Sequence, residues 1–179
     1  MLNTTERAIL LKIARAALES SVLGRPIPHI EAESPGLSQG SGAFVSIHMN
    51  GRLRGCIGSF ASPNPLYKTV FEMAVAAAMQ DPRFQPLKED ELGSTKLEIS
   101  VLSPLRSIKE ISEIEIGRHG LYLVKGSKRG VLLPQVAIEN DLDAKEFIEQ
   151  TCLKAGLDPD EWKKGAQISI FEAEIIKEG

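Results

Sequence analysis

The sequence predicts an α+β fold with a mainly antiparallel sheet and flanking helices. Segments with helical spacing and segments with strand alternation follow one another in the order helix, hairpin, helix, strands, helix, strand. The dipeptide Asn50-Gly51 lies between the first two strands. It is the strongest short hairpin signal, because both turn positions take positive φ. Strands joined by such a turn run antiparallel, which favours α+β over a parallel α/β arrangement.

Three helices are predicted from their end signals. Each begins at a residue that can cap free amides: Asn3, Asn64 and Asp143. In the first and third helices a glutamate three residues later completes a capping box, and Pro65 is expected at the first helical position of the second. Each ends at a glycine or proline: Gly24, Pro82 and Gly156.

Strands are predicted where apolar and polar residues alternate and where short apolar runs lie between glycine turns. The first hairpin covers residues 43–49 and 52–59. Later strands are expected at residues 97–101, 111–116, 121–125, 130–133 and 167–177.

The register of the hairpin decides what surrounds its cysteine. A regular two-residue turn places Cys56 opposite Val45 and Arg54 opposite Ile47. Strand alternation also puts Cys56 and Arg54 on one face. A bulge at either glycine of the strand would give a different register.

Length and composition predict one packed domain. The chain has 179 residues, 42% hydrophobic and 25% charged, and domains run to about 100–200 residues. We therefore expect a single domain over residues 1–179, with two interwoven subdomains as the alternative. Residues 25–41 are rich in Pro, Gly and Ser and predict a long loop.

Charge and cysteine content exclude several function classes. Lys+Arg is 21 and Asp+Glu is 24, a net charge of -3, so no basic excess exists to bind nucleic acid by counterion release. The N-terminus lacks signal-peptide features and no apolar stretch would span a membrane, so a cytoplasmic protein is expected. Two cysteines, with no metal-ligand spacing around them, predict neither a disulfide scaffold nor a metal or cofactor site.

Cys56 is the leading candidate for chemistry. It lies between Gly55 and Gly58, and glycines weaken a strand unless the backbone approaches something closely or forms a bulge. A neighbouring guanidinium, that of Arg54, and amides freed by glycine favour the thiolate, which is a nucleophile. The alternative is that Cys56 is a small buried apolar residue, as free cysteines often are. Cys152 lies on a helical apolar stripe and is predicted to be core.

Four further side chains are secondary candidates. Asp81 and Arg83 form a turn that orients a base or binds an anion, with a simple helix stop as the alternative. His119 lies in a glycine-flanked turn, where the alternative is a solvated residue. Glu98 lies on a strand face that fits either solvent or a cleft wall.

The segment Leu53-Arg54-Gly55-Cys56-Ile57-Gly58 resembles the signature hexapeptide of the AMMECR domain family, whose prokaryotic members are called AmmeMemoRadiSam system protein A. Other blocks resemble the family in the same order: Gly42-Ala43-Phe44-Val45-Ser46, Ala76-Ala77-Ala78, Asp81-Pro82-Arg83-Phe84, Glu98-Ile99-Ser100-Val101-Leu102, Ile116-Gly117-Arg118-His119-Gly120-Leu121, Leu132-Leu133-Pro134-Gln135-Val136-Ala137 and Lys154-Ala155-Gly156-Leu157. Together they span most of the chain from Gly42 to Phe171.

The resemblance implies two unequal lobes around a cleft, with the hexapeptide beside it. It also implies a Memo-type protein and a radical S-adenosylmethionine protein as partners, but no settled activity. We therefore expect a cleft enzyme or enzyme component that uses Cys56 as nucleophile or redox thiol. The other catalytic candidates are His119, Asp81 and Glu98, and the substrate-binding candidates are Arg54, Gly55, Ile57, Gly58 and Arg83. The alternative is a non-catalytic adaptor that holds a small anionic ligand or a partner segment.

Overall fold

The computed structural model describes residues 2–28, 32–60 and 62–179, and it confirms the α+β class with an antiparallel sheet and flanking helices. The chain divides into two compact units. The first runs to Leu102 and includes Glu174–Gly179, and the second is Ser103–Ala173. Among the described residues, every helix is too short or too polar to cross a membrane.

The first unit combines helices with antiparallel strands. Its elements are α1 (Thr4–Leu23), α2 (Pro35–Ser38), β1 (Ala43–Met49), β2 (Arg52–Ser59), α3 (Leu66–Met79), a 3₁₀ helix (Glu89–Ser94) and β3 (Thr95–Leu102). The strands are ordered β2-β1-β3, and β1 is antiparallel to both neighbours. β2 is therefore an edge strand.

The predicted helix ends are largely confirmed. Asn3 and Glu6 form the capping box of α1, and Gly24 ends that helix in the left-handed region with φ 61°. The start of α3 differs by one position, because Pro65 is the cap and Leu66 the first helical residue.

The predicted loop at residues 25–41 contains α2, and its residues 29–31 lie outside the described part of the chain. Ser34 caps α2, and its hydroxyl also donates to Glu6 Oε1 at 2.6 Å. Gly36 N donates to the same carboxylate at 3.2 Å. The carboxylate that completes the α1 capping box therefore also fixes this segment.

One face of the β1–β2–β3 sheet packs against α1 and α3. Alternate residues of β1 are buried on this face, namely Ala43, Val45 and Ile47, together with Leu97 and Ile99 of β3. The intervening residues of β1 are only partly buried and lie on the opposite face: Phe44, Ser46 and His48. The first unit thus has an apolar core face and a more polar second face.

The register predicted for the hairpin is wrong. Cys56 pairs with Ser46 instead of Val45, and Ile47 pairs with Gly55 instead of Arg54. The register shifts between Ile47 and His48, where Arg54 is the extra residue of a bulge. Gly55 allows α3 to approach this bulge, because an added Cβ would lie 2.3 Å from the Ala77 carbonyl oxygen.

The second unit is built around the last strand. Its elements are β4 (Arg106–Ile108), a 3₁₀ helix (Ile111–Glu113), β5 (His119–Lys125), β6 (Lys128–Leu132), α4 (Pro134–Glu139), α5 (Ala144–Lys154), a 3₁₀ helix (Glu161–Lys163) and β7 (Gln167–Lys177). The last four residues of β7 belong to the first unit. β7 pairs antiparallel with β4 and β5, and β5 with β6. Phe147 and Ile148 of α5 fill its core.

The sequence prediction for this unit is only partly correct. The Asp143–Glu146 capping box and the strand at residues 167–177 are confirmed. The strand predicted at residues 111–116 is wrong, because Ile111 and Ile114 reach the same core at the three-residue spacing of a 3₁₀ turn. β4 and α4 were not predicted from the sequence.

The contact between Gly55 and α3 is testable. In Gly55→Ala the new methyl group meets a backbone oxygen, so we expect the free energy of unfolding to fall by about 1–3 kcal/mol. Gly93→Ala is the matched control, because no atom lies within 4 Å of its added Cβ. Urea unfolding followed by circular dichroism measures both. Equal stability of the two variants would contradict the close approach.

Candidate functional site

Asp81 lies just beyond the end of α3 and holds the cysteine strand. Its carboxylate is buried, and Oδ2 accepts a hydrogen bond from Cys56 N at 2.9 Å. Oδ1 accepts from Arg83 N and from Arg83 Nε, both at 3.0 Å, and Arg83 Nη2 lies 2.7 Å from Oδ2. One carboxylate therefore joins the turn after α3 to the edge strand β2.

Arg83 completes this attachment from the other side. Its Nη2 donates to the Cys56 carbonyl oxygen at 3.1 Å. The amide and carbonyl of Cys56 face away from β1, where an edge strand has no neighbour, and such groups need partners when they lose water. Asp81 and Arg83 thus take the place of a neighbouring strand at this one residue.

The charges of this pair are mutually stabilised. Hydrogen bonds from Arg83 hold the pKa of Asp81 well below its usual range, against the opposing effect of burial. The same contact raises the pKa of Arg83. Asp81 is therefore ionised and acts as an acceptor for Cys56 N, and it is not a proton donor at neutral pH.

Arg54 is held by a second pair. Its Nε and Nη2 donate to the two oxygens of Glu91, each at 2.9 Å, and its Nη1 donates to the Gln85 carbonyl oxygen at 3.0 Å. This bidentate contact lowers the pKa of Glu91. Every guanidinium nitrogen of Arg54 is thus engaged within the first unit.

Phe84 links the two arginines. Its ring centroid lies 5.9 Å from Arg54 Cζ and 5.5 Å from Arg83 Cζ. Both distances are within the range of cation–π attraction. The turn after α3 and the hexapeptide of β2 therefore form one connected cluster.

The Cys56 thiol lies on the polar face of the sheet and is half-buried. Ser46 Oγ donates to Cys56 Sγ at 3.1 Å. Ser46 is paired with Cys56 on β2 and with Glu98 on β3, so the three side chains form one row across the face. Glu98 is 18% exposed and forms an ion pair with Lys177 at 2.9 Å.

The histidine predicted for the site belongs to the second unit. His119 is the first residue of β5 and is buried, so the expectation of a turn position is wrong. Its Nδ1 accepts a hydrogen bond from Glu115 N at 3.0 Å, which makes the ring a turn-closing acceptor. His48, which is on the same sheet face as Ser46, has a buried Nε2 without a hydrogen-bond partner among the described residues.

The predicted substrate-binding glycines make close internal contacts. Gly55 faces the backbone of α3, and an added Cβ at Gly58 would lie 2.1 Å from the Phe44 ring. Ile57 packs against the core of the first unit. The Cys56 amide, one of the donors expected for substrate, is already bonded to Asp81.

One cavity lies at the turn end of the hexapeptide hairpin. A cavity of about 420 Å³ is lined by Met49, Asn50, Arg52, Leu53 and Arg54, at the turn end of the hairpin. Cys56 does not line it. Within the described ranges, no group of three or more His, Cys, Asp or Glu side chains is placed to hold a metal ion.

The model of the AMMECR1 family matches residues 11–176. The chain belongs to the AMMECR1 family. Among its AMMECR1-type relatives, a protein of Methanosarcina acetivorans is 40% identical over 187 residues, covering 99% of this chain and 94% of that protein. A protein of Thermococcus onnurineus is 41% identical over 181 residues, covering 94% and 88% respectively.

The crystal structure of an uncharacterised Pyrococcus horikoshii protein matches this AMMECR1-family chain with a TM-score of 0.88 and 36% identity. The match covers 99% of this chain and 93% of that one. The family resemblance predicted from the hexapeptide is therefore confirmed over nearly the whole length.

Three side chains of the candidate site were not predicted from the sequence: Ser46, Phe84 and Glu91. Phe84 follows Arg83 directly, so its proximity could have been expected. Ser46 becomes the partner of Cys56 only because of the bulge, which the sequence does not locate. Glu91 lies 37 residues from Arg54, and its carboxylate has several acidic neighbours in the chain that look equivalent.

The Asp81 carboxylate makes the stability of this protein depend on pH. Because its pKa is lower in the folded state, ionised Asp81 stabilises the fold above its unfolded pKa of about 3.9. That contribution is lost as the pH falls below this value toward the folded pKa. We expect Asp81→Asn to cost about 2–3 kcal/mol at pH 7, because the Arg83 and Cys56 donors lose a charged acceptor.

Urea unfolding at several pH values between 2 and 7 measures this effect. The wild-type protein should lose more stability than Asp81→Asn as the pH falls, so that the difference between the two shrinks. Asp90→Asn is the control, since Asp90 is exposed. An Asp81→Asn deficit that stays constant over the whole pH range would refute the role of the charge.

Proposed function

We propose that this AMMECR1-family protein is a thiol-dependent enzyme or enzyme component in which Cys56 is the nucleophile. The observation that carries the proposal is the hydrogen bond from Ser46 Oγ to Cys56 Sγ at 3.1 Å. The donor and the sulfur lie on adjacent strands, and the Cys56 backbone is fixed at both its amide and its carbonyl. A sulfur held in one place with a hydroxyl donor is preorganised for attack.

The proposed step is addition of the thiolate to an electrophilic carbon. The sulfur lone pair forms the S–C bond, and the displaced electron pair moves onto the acceptor atom of the substrate. The thiol proton is released to water, which the half-buried sulfur can reach. Ser46 stabilises the negative charge on sulfur before attack, and Glu98 borders the same row.

Arg83 is the proposed anchor for a small anionic substrate. Its Nε and Nη2 are bonded to Asp81 and Cys56, whereas Nη1 makes no hydrogen bond with the described residues. The side chain is 55% exposed. Arg54 is the other predicted anchor, but each of its guanidinium nitrogens already donates a hydrogen bond within the protein. Asp81 acts as a positioning residue for the Cys56 backbone. The proposed chemistry needs a reduced thiol, which requires a reducing compartment such as the cytoplasm.

Alkylation with iodoacetamide tests whether Cys56 is reactive. Cys152 is an internal control, because it is fully buried and burial raises the pKa of its thiol. We expect Cys56 in the native protein to react at least 100-fold faster than Cys152, as measured by peptide mass spectrometry at pH 7. Cys56→Ser should leave almost no modification. Equal rates for the two cysteines, or protection of both, would overturn the proposal.

Ser46→Ala separates a preorganised thiol from one that is merely exposed. Loss of one hydrogen bond to the sulfur, about 1 kcal/mol, should slow alkylation of Cys56 at pH 7 by roughly fivefold. Ser94→Ala is the control, because Ser94 is exposed on the 3₁₀ helix of the same unit. If both variants react like the wild-type protein, Ser46 does not activate the sulfur.

An adaptor role is the second candidate, and the closed charge pairs favour it. Arg54 with Glu91, and Arg83 with Asp81, form a rigid cluster around the hexapeptide. Such a surface suits recognition as well as catalysis. Following the family resemblance, we propose a Memo-type protein and a radical S-adenosylmethionine protein as its partners.

Co-purification distinguishes the two candidates. The adaptor role predicts that Cys56→Ala retains both the complex and the complex's activity, whereas Arg83→Ala weakens the complex. The enzyme role predicts that Cys56→Ala retains the complex and abolishes the activity. Absence of any complex with either partner would refute the adaptor role as stated.

A further inference from the structure

A cavity separate from the cysteine site lies between the two long helices of the first unit. Its volume is about 500 Å³, within the range of small-molecule sites of about 300–1,000 Å³. α1 contributes Ile13 and Ala16, and α3 contributes Tyr67, Lys68 and Phe71. The remaining described lining comes from the segment between α1 and β1: Ile27, Pro28, Ala32, Glu33 and Ser38.

The wall is mainly apolar and includes exposed aliphatic surface. Ile27 is 57% exposed although it lines the cavity, and Tyr67 and Phe71 are both only partly buried. Apolar surface left open to water is unfavourable by about 25 cal/mol per Å². A ligand with an apolar body would remove this surface from water.

Lys68 is exposed and supplies a positive charge at the aromatic wall. Its Nζ lies 6.0 Å from the Tyr67 ring centroid, and it forms no ion pair with a described carboxylate. Glu33 also lines the cavity, so a ligand with two negative charges is disfavoured. A ligand with one negative charge complements Lys68.

We propose that this cavity binds an apolar monocarboxylate. The hydrocarbon body lies against Ile13, Ala16 and Phe71, and the carboxylate pairs with Lys68 Nζ. The site is independent of Cys56, which does not line it.

Calorimetric titration of the full chain with decanoate tests the proposal. We expect saturable binding of one decanoate per chain, at least tenfold tighter than binding of decanol or decylamine. Lys68→Met should weaken decanoate binding at least tenfold and leave decanol unchanged. Lys12→Met is the matched control, because Lys12 is exposed on α1 outside the cavity. Cys56→Ser should bind as the wild type does, which separates this result from the thiol hypothesis.

A second variant tests the location. Ala16→Trp places an indole in the cavity and should abolish binding of both decanoate and decanol, with circular dichroism confirming the fold. Three outcomes would overturn the proposal: no saturable binding, equal affinity for decanoate and decanol, or tighter binding of decylamine. An unchanged affinity in Lys68→Met would also overturn it, whether or not Ala16→Trp folds.

Discussion

The candidate site depends on the hydrogen bonds that the Asp81 carboxylate accepts from Cys56 N and from Arg83. An edge strand exposes amide and carbonyl groups that invite pairing with another chain. In β2 these groups of Cys56 are instead bonded by Asp81 and Arg83, which project from the turn after α3. The helix, the edge strand and the thiol are thereby fixed relative to one another. The Cys56 backbone is thereby bonded on its outer side as well as being paired with Ser46 of β1.

Arg54 of the hexapeptide and Arg83 of the turn after α3 differ in how many of their guanidinium nitrogens are free to bind a further group. Both are bonded to carboxylates, and both flank Phe84. Arg54 uses all three nitrogens and is largely buried, whereas Arg83 keeps one nitrogen and more than half its surface open. A near-neutral chain has no diffuse positive field. Among the described residues of this cluster, only one guanidinium edge, that of Arg83, is left without a hydrogen bond.

Local signals in the sequence were sufficient for most elements of the fold. Capping boxes at Asn3 and Asp143 and the Asn50-Gly51 turn depend on neighbours in the chain, so they could be predicted. The second unit was harder, because short elements such as β4 exist only through pairing with β7. Likewise, Asp81 and Arg83 could be named as candidates. Their bonds to the Cys56 backbone could not be, since these join residues 25 and 27 positions apart.

The extra residue of the bulge, Arg54, determines which face of the sheet the later side chains of β2 point to. Paired residues point to the same face, and Val45 faces the apolar core. Without the bulge, Cys56 would pair with Val45 and its sulfur would be directed at α1 and α3. One additional residue between the turn and the cysteine reverses the alternation and turns the sulfur outward, beside Ser46. The single inserted residue thus decides whether Cys56 packs in the apolar core or lies on the polar face of the sheet.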